Sequence, residues 1–321
     1  MLVHIGLIAV GLFLLAAGGE ALLRGSVALA TLLRLTPAVI GLTVVAAGTS
    51  LPELSVSVLA ALRDQPDIAV GNVVGSNIFN IAVVLGLCAL FRPLAITGNA
   101  IRLEYPVLAF VTLMCLAVAQ DGVVNRLDGA LFVVVYGLFT AYMLTLVRAQ
   151  VTSDERGELA AEVASLAGAT RLRPALGWIA LGTATLALGA TLTVDGSVGL
   201  ARQIGLSERV IGLTIVAGGT ALPEVVASLV STWRGRDDVA IGNVIGSCLF
   251  NILGILGLPA LIRPLPVHPT IARIDNGWML GITLLLFPLM FTRLRIDRWE
   301  GGVLLATYAV YATQLATRTG G

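Results

Sequence analysis

Charged residues are scarce in this sequence, and lysine is absent. Only 12% of the 321 residues are charged, and all 20 basic residues are arginine. With 57% apolar residues and a mean hydropathy of +0.95, the composition excludes a single soluble domain and is typical of a membrane protein. The sequence also lacks a Ser-His-Asp set, an H-E-x-x-H motif and a phosphate-binding loop, so we expect no enzyme activity.

Long apolar runs occupy most of the chain and predict an all-α polytopic membrane protein. A membrane-spanning helix needs about 20 mainly apolar residues, and the runs are too long and unbroken for the strands of an outer-membrane barrel. The predicted spans are ten: 4–33, 37–63, 69–91, 103–120, 127–147, 174–204, 208–233, 239–262, 274–292 and 299–318.

The sequence contains an internal duplication. Residues 41–87 align without a gap on residues 212–258 at an offset of 171, with 25 identities in 47 positions. G-T-S-L-P-E at 48–53 matches G-T-A-L-P-E at 219–224, and G-N-V-V-G-S-N-I-F-N at 71–80 matches G-N-V-I-G-S-C-L-F-N at 242–251. We therefore predict two five-helix repeats, 1–147 and 174–321, joined by a linker at 148–173. Five is odd, so the second repeat enters the membrane from the opposite side and the two are inverted.

The arginine distribution predicts the orientation. If the N-terminus is outside, 13 of the 20 arginines fall on the cytoplasmic side. Because basic residues near helix ends favour the cytoplasm, we expect both termini outside and the linker inside.

Two glutamates, Glu53 and Glu224, stand in equivalent positions within apolar runs. A carboxylate at that depth costs about 2.5–3.5 kcal/mol on insertion scales, so something must compensate for it. A buried ion pair or a protonated acid is the structural alternative. Two acids in equivalent positions, beside glycine and proline and with no basic residue nearby in sequence, favour an ion site instead.

The residues around the glutamates offer only oxygen ligands. Pro52 and Pro223 lack an amide hydrogen, so we expect opened turns whose carbonyls face inward. The carbonyls expected there are those of Ala46, Thr49, Ala217 and Thr220. In the second motif, Ser76 and Asn80, like Ser247 and Asn251, are four residues apart and share a helix face, where interhelical hydrogen bonding is the alternative role. Oxygen ligands select hard cations such as Ca2+. An empty site with two buried negative charges would be costly to move across the membrane, so we expect the protein to change conformation only with ions bound. This predicts the exchange of one ion for another.

These motifs resemble the paired repeats of the cation/calcium exchanger superfamily, most closely its prokaryotic sodium/calcium exchanger branch. The resemblance covers essentially the whole chain. It implies a calcium site of Glu53, Thr49, Glu224 and Thr220, framed by sodium positions, and about three Na+ exchanged per Ca2+ with net charge transfer. The sodium positions would involve Ala46, Ser50, Ser76, Asn80, Ala217, Ser247 and Asn251. Ala221 stands where the first repeat has Ser50, which removes one hydroxyl ligand and bears on the number of bound Na+.

The sequence thus predicts a secondary Na+/Ca2+ antiporter of a prokaryotic inner membrane. We expect Ca2+ and Na+ as substrates, a lipid surround, no cofactor, no nucleic acid and no obligate protein partner. Ca2+/H+ antiport is the main alternative, since protons could also discharge the two glutamates. K+ co-transport is disfavoured because the sequence offers no extra acidic residue in the site. A cation channel is also disfavoured, because channels usually build an acidic ring by oligomerisation.

Overall fold

In a computed structural model of the chain, the described residues are 2–33, 35–146, 172–203 and 219–318, and they form helices joined by short connections. The helices are α1 Leu2–Leu33, α2 Ala38–Thr49, α3 Leu51–Leu62, α4 Pro66–Phe91, α5 Ala100–Asp121, α6 Arg126–Leu146, α7 Leu172–Gln203, α8 Leu222–Trp233, α9 Asp237–Ile262, α10 Ile271–Leu294 and α11 Arg298–Arg318. Four two-residue strands connect them: β1 Leu94–Ala95, β2 Val123–Val124, β3 Leu265–Pro266 and β4 Arg295–Ile296.

Among the described residues, seven helices are long and apolar enough to cross a membrane, and the bent pair α2 and α3 makes up to eight. The helical, polytopic character is therefore confirmed, while ten spans were expected. The predicted span 208–233 lies partly outside the described residues, and the tenth corresponds to α11, whose sequence is more polar. The predicted linker lies almost wholly outside the described residues, although Leu172 and Arg173 already belong to α7.

Equivalent segments of the two predicted repeats have the same local structure. Both copies of the second motif end in a π-helical segment that starts at an asparagine, Asn80–Val84 in α4 and Asn251–Leu256 in α9. A second pair of π-helical segments opens α5 and α10, at Ala100–Glu104 and Ile271–Asp275. π-Helical turns are rare and often lie at functional sites. Their presence at equivalent positions indicates that the duplicated sequence produces the same local geometry in both repeats.

The long helices α1 and α7 pack against each other in opposite directions. Small residues allow this approach: a methyl group on Gly11 would meet Thr193, and one on Gly25 would lie 2.7 Å from the amide of Ile179. Rising residue numbers in α1 therefore face falling numbers in α7. Both helices are largely exposed outside this contact, as expected for helices that face lipid.

The strands join the first half of the chain to the second. β1 pairs antiparallel with β4, and β2 pairs antiparallel with β3. Between these connections, α4 and α9 are the most enclosed of the long helices. They carry the second motif of each repeat and so place it at the centre of the molecule.

Candidate ion site

The two predicted glutamates occupy equivalent places in the structure. Glu53 lies in the first turn of α3 and Glu224 in the first turn of α8, each directly after a proline. They are 2% and 1% exposed, and they lie within electrostatic range of each other. The free amides at a helix N-terminus favour a negative charge, which makes the first turn a suitable place for a buried carboxylate.

A bend at Ser50 separates α2 from α3. The two helices differ in direction by 48°, and Ser50 has φ −87° and ψ 12°. Ala221, its equivalent before α8, has φ −87° and ψ 4°, so the turn has the same shape in both repeats. The prediction that the Ala46 carbonyl is freed from the helix is wrong, because this carbonyl accepts a hydrogen bond from the amide of Ser50 at 3.1 Å. The missing amide of Pro52 affects Gly48, four residues earlier, and leaves the turn at Ala46 closed.

Hydrogen bonds from this bend cross to the other half of the chain. The Ser50 hydroxyl donates to Glu224 Oε1 at 2.7 Å, and the Thr49 hydroxyl lies 3.3 Å from Asn243 Oδ1. The first repeat therefore contributes directly to the surroundings of the second glutamate. Thr220 lies at the equivalent bend of the second repeat, and Ala217 lies outside the described residues.

A second layer of amides and hydroxyls, buried or half-buried, supports the site. Asn72 donates to the backbone carbonyl of Glu53 at 3.2 Å and to the Ser57 hydroxyl at 2.9 Å. In the second repeat, Asn243 donates to the Ser228 hydroxyl at 2.9 Å. Sequence reasoning missed these four residues. The signal was present, because both pairs are identical at the offset of 171.

The Ser and Asn pairs of the second motif lie on α4 and α9. In each pair the asparagine amide bonds to the serine carbonyl one turn earlier, which places both side chains on one helix face. Asn251 also donates to Asn77 Oδ1 at 3.4 Å. The alternative role that the sequence left open, interhelical hydrogen bonding, is thus found for Asn251.

Several buried oxygens of these residues have no hydrogen-bond partner. They are both carboxylate oxygens of Glu53, one of Glu224, the Oδ1 atoms of Asn80 and Asn251, and the Ser247 hydroxyl. Within the described ranges neither glutamate forms an ion pair. Because buried carboxylates require a compensating charge, this set of unpaired oxygen acceptors suits a cation with oxygen ligands.

A cavity of about 1020 Å³ reaches the site from one side. It lies between α7 and the bends of both repeats, and its lining includes Gly48, Pro52, Asp195, Gly219 and Thr220. Most of the other lining residues are apolar, so the cavity combines a wide opening with few polar groups. The cavity therefore connects the two bends with the outside of the helix bundle, on the side away from α4 and α9.

Comparison with known proteins identifies the family. The model of the sodium/calcium exchanger protein family matches residues 3–145 and 174–316. The chain is 40% identical to the putative antiporter CaxA of Alkalimonas amylolytica, over 97% of this chain and 98% of that protein. It is 34% identical to the inner membrane protein YrbG of Escherichia coli, over 91% and 90% of the two chains.

A solved structure supports the same assignment. The sodium-calcium exchanger NCX_Mj, soaked with zero Na+ and Ca2+, superposes with a TM-score of 0.83 at 29% identity and covers 98% of this chain and 99% of its own. The fold of the described helices is therefore similar to that of an exchanger over its whole length. This chain belongs to the sodium/calcium exchanger family, whose members are membrane ion antiporters rather than enzymes.

Proposed function

We propose that the protein is a secondary active antiporter that exchanges Na+ for Ca2+ by alternating access. One observation carries the proposal: two buried glutamates on equivalent helix starts, with three carboxylate oxygens unpaired and one bonded across the halves by Ser50. Such a site needs its negative charge neutralised, which a bound cation does directly. The name of NCX_Mj supports Na+ and Ca2+ as the exchanged ions.

The ion site comprises the residues of both motifs. Glu53 and Glu224 bind Ca2+ together with the carbonyls of Thr49 and Thr220. The sodium positions around them use oxygens of the following residues: Ser50, Ser76, Asn80, Ala217, Ser247 and Asn251. The two carboxylates give the site a charge of −2, which one Ca2+ neutralises, and the exchange of about three Na+ for each Ca2+ transfers net charge.

The architecture is two inverted five-helix repeats, residues 1–147 and 174–321, with ten spans. The antiparallel packing of α1 on α7, which are equivalent helices, supports inversion. The strand pairs support it as well. β1 follows the third predicted span and β4 the ninth, so an even number of crossings separates two strands that must lie on the same side of the membrane. β2 follows the fourth predicted span and β3 the eighth, so an even number of crossings separates this pair as well.

We place the protein in a prokaryotic inner membrane, with both termini outside and the linker at 148–173 in the cytoplasm. The excess of arginine on the inner side supports this orientation, and the similarity to an inner membrane protein of E. coli supports the location. The ions are substrates, and we assign no cofactor or obligate protein partner.

The test is uptake of ⁴⁵Ca2+ into proteoliposomes loaded with Na+. We expect uptake when the external medium contains choline or K+ and little uptake when it contains Na+, because only the outward Na+ gradient drives exchange. Glu53→Gln and Glu224→Gln should each abolish uptake, since each removes half of the site's charge. Thr313→Val, at an exposed position of α11 that does not line the cavity beside the bends, serves as a folding and activity control.

The result that would overturn Na+ coupling is also defined. Uptake that ignores the Na+ gradient and follows an imposed pH gradient would assign Ca2+/H+ antiport to the same two glutamates. Uptake that needs no counter-ion at all would indicate a channel.

A further inference from the structure

The two equivalent ends of the molecule are in different states. Where α1 crosses α8, the contact is tight: a methyl group on Gly19 would lie 3.1 Å from Val230 and 3.2 Å from Val226. At an offset of 171, the equivalents of Gly19 and Val226 are Ala190 and Ser55. Both of those residues line the 1020 Å³ cavity. The α1–α8 end is therefore closed, and the α7–α3 end is open.

An ion-pair cluster latches the closed end. Glu20 of α1 lies 2.8 Å from the guanidinium of Arg234, which follows α8, and 2.9 Å from Nε of Arg24 one turn along α1. Arg234 ends α8 with φ −77° and ψ 1°. This cluster connects α1 to the end of the helix that carries Glu224.

The open end has the complementary charges but no ion pair. The equivalent of Arg234 is Arg63, which ends α3 with φ −89° and ψ 8°, so the two arginines leave their helices in the same way. The equivalents of Glu20 and Arg24 are Thr191 and Asp195. Within the described parts of the chain, neither Arg63 nor Asp195 has an ionic partner, and both are exposed.

We propose that Arg63 and Asp195 form a salt bridge that latches the α7–α3 end when the two halves exchange conformations. The inference rests on the proposed function, because alternating access between inverted repeats requires α7 to close on α3 as α1 now closes on α8. Asp195 is one helical turn from the Glu20-equivalent position, within reach of a long arginine side chain. The two latches carry their acid at different positions of equivalent helices, so each end closes with its own ion pair.

Paired cysteines test whether the two residues meet. The three natural cysteines are buried, so introduced surface pairs react selectively with a bifunctional methanethiosulfonate reagent, which links two thiols by releasing two sulfinates and needs no oxidant. The spacer of the reagent covers the distance that a long arginine side chain bridges, which a direct disulfide cannot. In proteoliposomes turning over with Na+ and Ca2+, the reagent should link the R63C/D195C pair and stop uptake, and reduction should restore it. The E20C/R234C pair should behave likewise, and a variant with both pairs should carry only one link per molecule. R63C/L181C, whose second position is 55% exposed on α7 and ten residues before Thr191, is the matched control and should not cross-link.

Charge reversal gives an independent readout. D195R places two arginines together, and the uptake rate should fall about fivefold, because an exposed ion pair contributes up to about 1 kcal/mol. The R63D/D195R exchange should restore the rate. If R63C/D195C does not cross-link while E20C/R234C does, or if the charge exchange fails to rescue, the latch is wrong. Absence of Na+-driven uptake in the unmodified protein would instead refute the proposed function, whatever the cross-links show.

Discussion

Ala221 is the position where the two halves of the candidate site differ most directly. Its backbone angles match those of Ser50, so a serine at 221 would point its hydroxyl toward Glu53 as Ser50 points toward Glu224. Both oxygens of Glu53 lack a partner, whereas Glu224 has one satisfied oxygen. We therefore predict that Ala221→Ser strengthens Na+ binding and that Ser50→Ala weakens it, because each changes one oxygen ligand of a sodium position.

The size of the effect follows from the bond that the hydroxyl makes. A buried hydrogen bond to a charged group contributes about 1.5–3 kcal/mol, or roughly 10- to 100-fold in the affinity of one position. If about three Na+ bind together, the half-saturating Na+ concentration changes by the cube root of that factor, about two- to fivefold. We expect it to fall in Ala221→Ser and rise in Ser50→Ala.

The assay is the Na+ dependence of ⁴⁵Ca2+ efflux from loaded proteoliposomes, with half-saturation and slope measured for both variants and for the double variant. Exchanging the hydroxyl between the halves in the double variant should return half-saturation close to the starting value. Shifts in the same direction for both single variants, or no shift in either, would contradict the assignment of Ser50 and Ala221 to sodium positions.

Three further predictions concern packing and support of the site. Gly246→Ala should destabilise the purified protein by about 1–3 kcal/mol and lower its melting temperature, because the added methyl group would meet the carbonyl of Leu42. Gly281→Ala, at an exposed position with open space around it, is the control and should leave the melting temperature unchanged. Equal melting temperatures for the two variants would contradict this. Asn243→Ala should weaken ⁴⁵Ca2+ binding in detergent about tenfold, because it removes the amide that lies between the Thr49 and Ser228 hydroxyls, and unchanged affinity would separate Asn243 from the site. The three buried cysteines should resist a membrane-impermeant maleimide until the protein is unfolded, and labelling of the native protein would show a different packing.

Long apolar runs and the duplication predicted most helix positions well. The predicted span 69–91 corresponds to α4 at Pro66–Phe91, and 239–262 corresponds to α9 at Asp237–Ile262. Such helices are predictable because backbone groups in lipid must be satisfied within the segment, which leaves little choice of structure. The bend at Ser50 was also predictable, since proline removes a hydrogen bond at a defined distance.

Contacts between the halves could not be predicted in the same way. The sequence showed that Ser50 and Glu224 belong to matching motifs, but only tertiary packing brings the hydroxyl of one motif to the carboxylate of the other. The strand pairs of two residues each are too short to leave a periodic pattern. The supporting residues Asn72 and Asn243 were visible as duplicated polar residues, yet their partners depend on how α4 meets α3 and α9 meets α8.

The duplicated scaffold is nearly symmetric, but its polar contacts are not. Ser50 donates to Glu224, and Asn77 accepts from Asn251, so in both contacts the first repeat supports a residue of the second. Their equivalents are Ala221, which has no hydroxyl, and Cys248, a poor hydrogen-bond acceptor. Glu53 therefore keeps two unpaired carboxylate oxygens where Glu224 keeps one, whereas the Oδ1 atoms of Asn80 and Asn251 are both unpaired. Because both differences fall on the same side of the site, ion positions around Glu53 should be weaker than those around Glu224, even though the two backbones are alike.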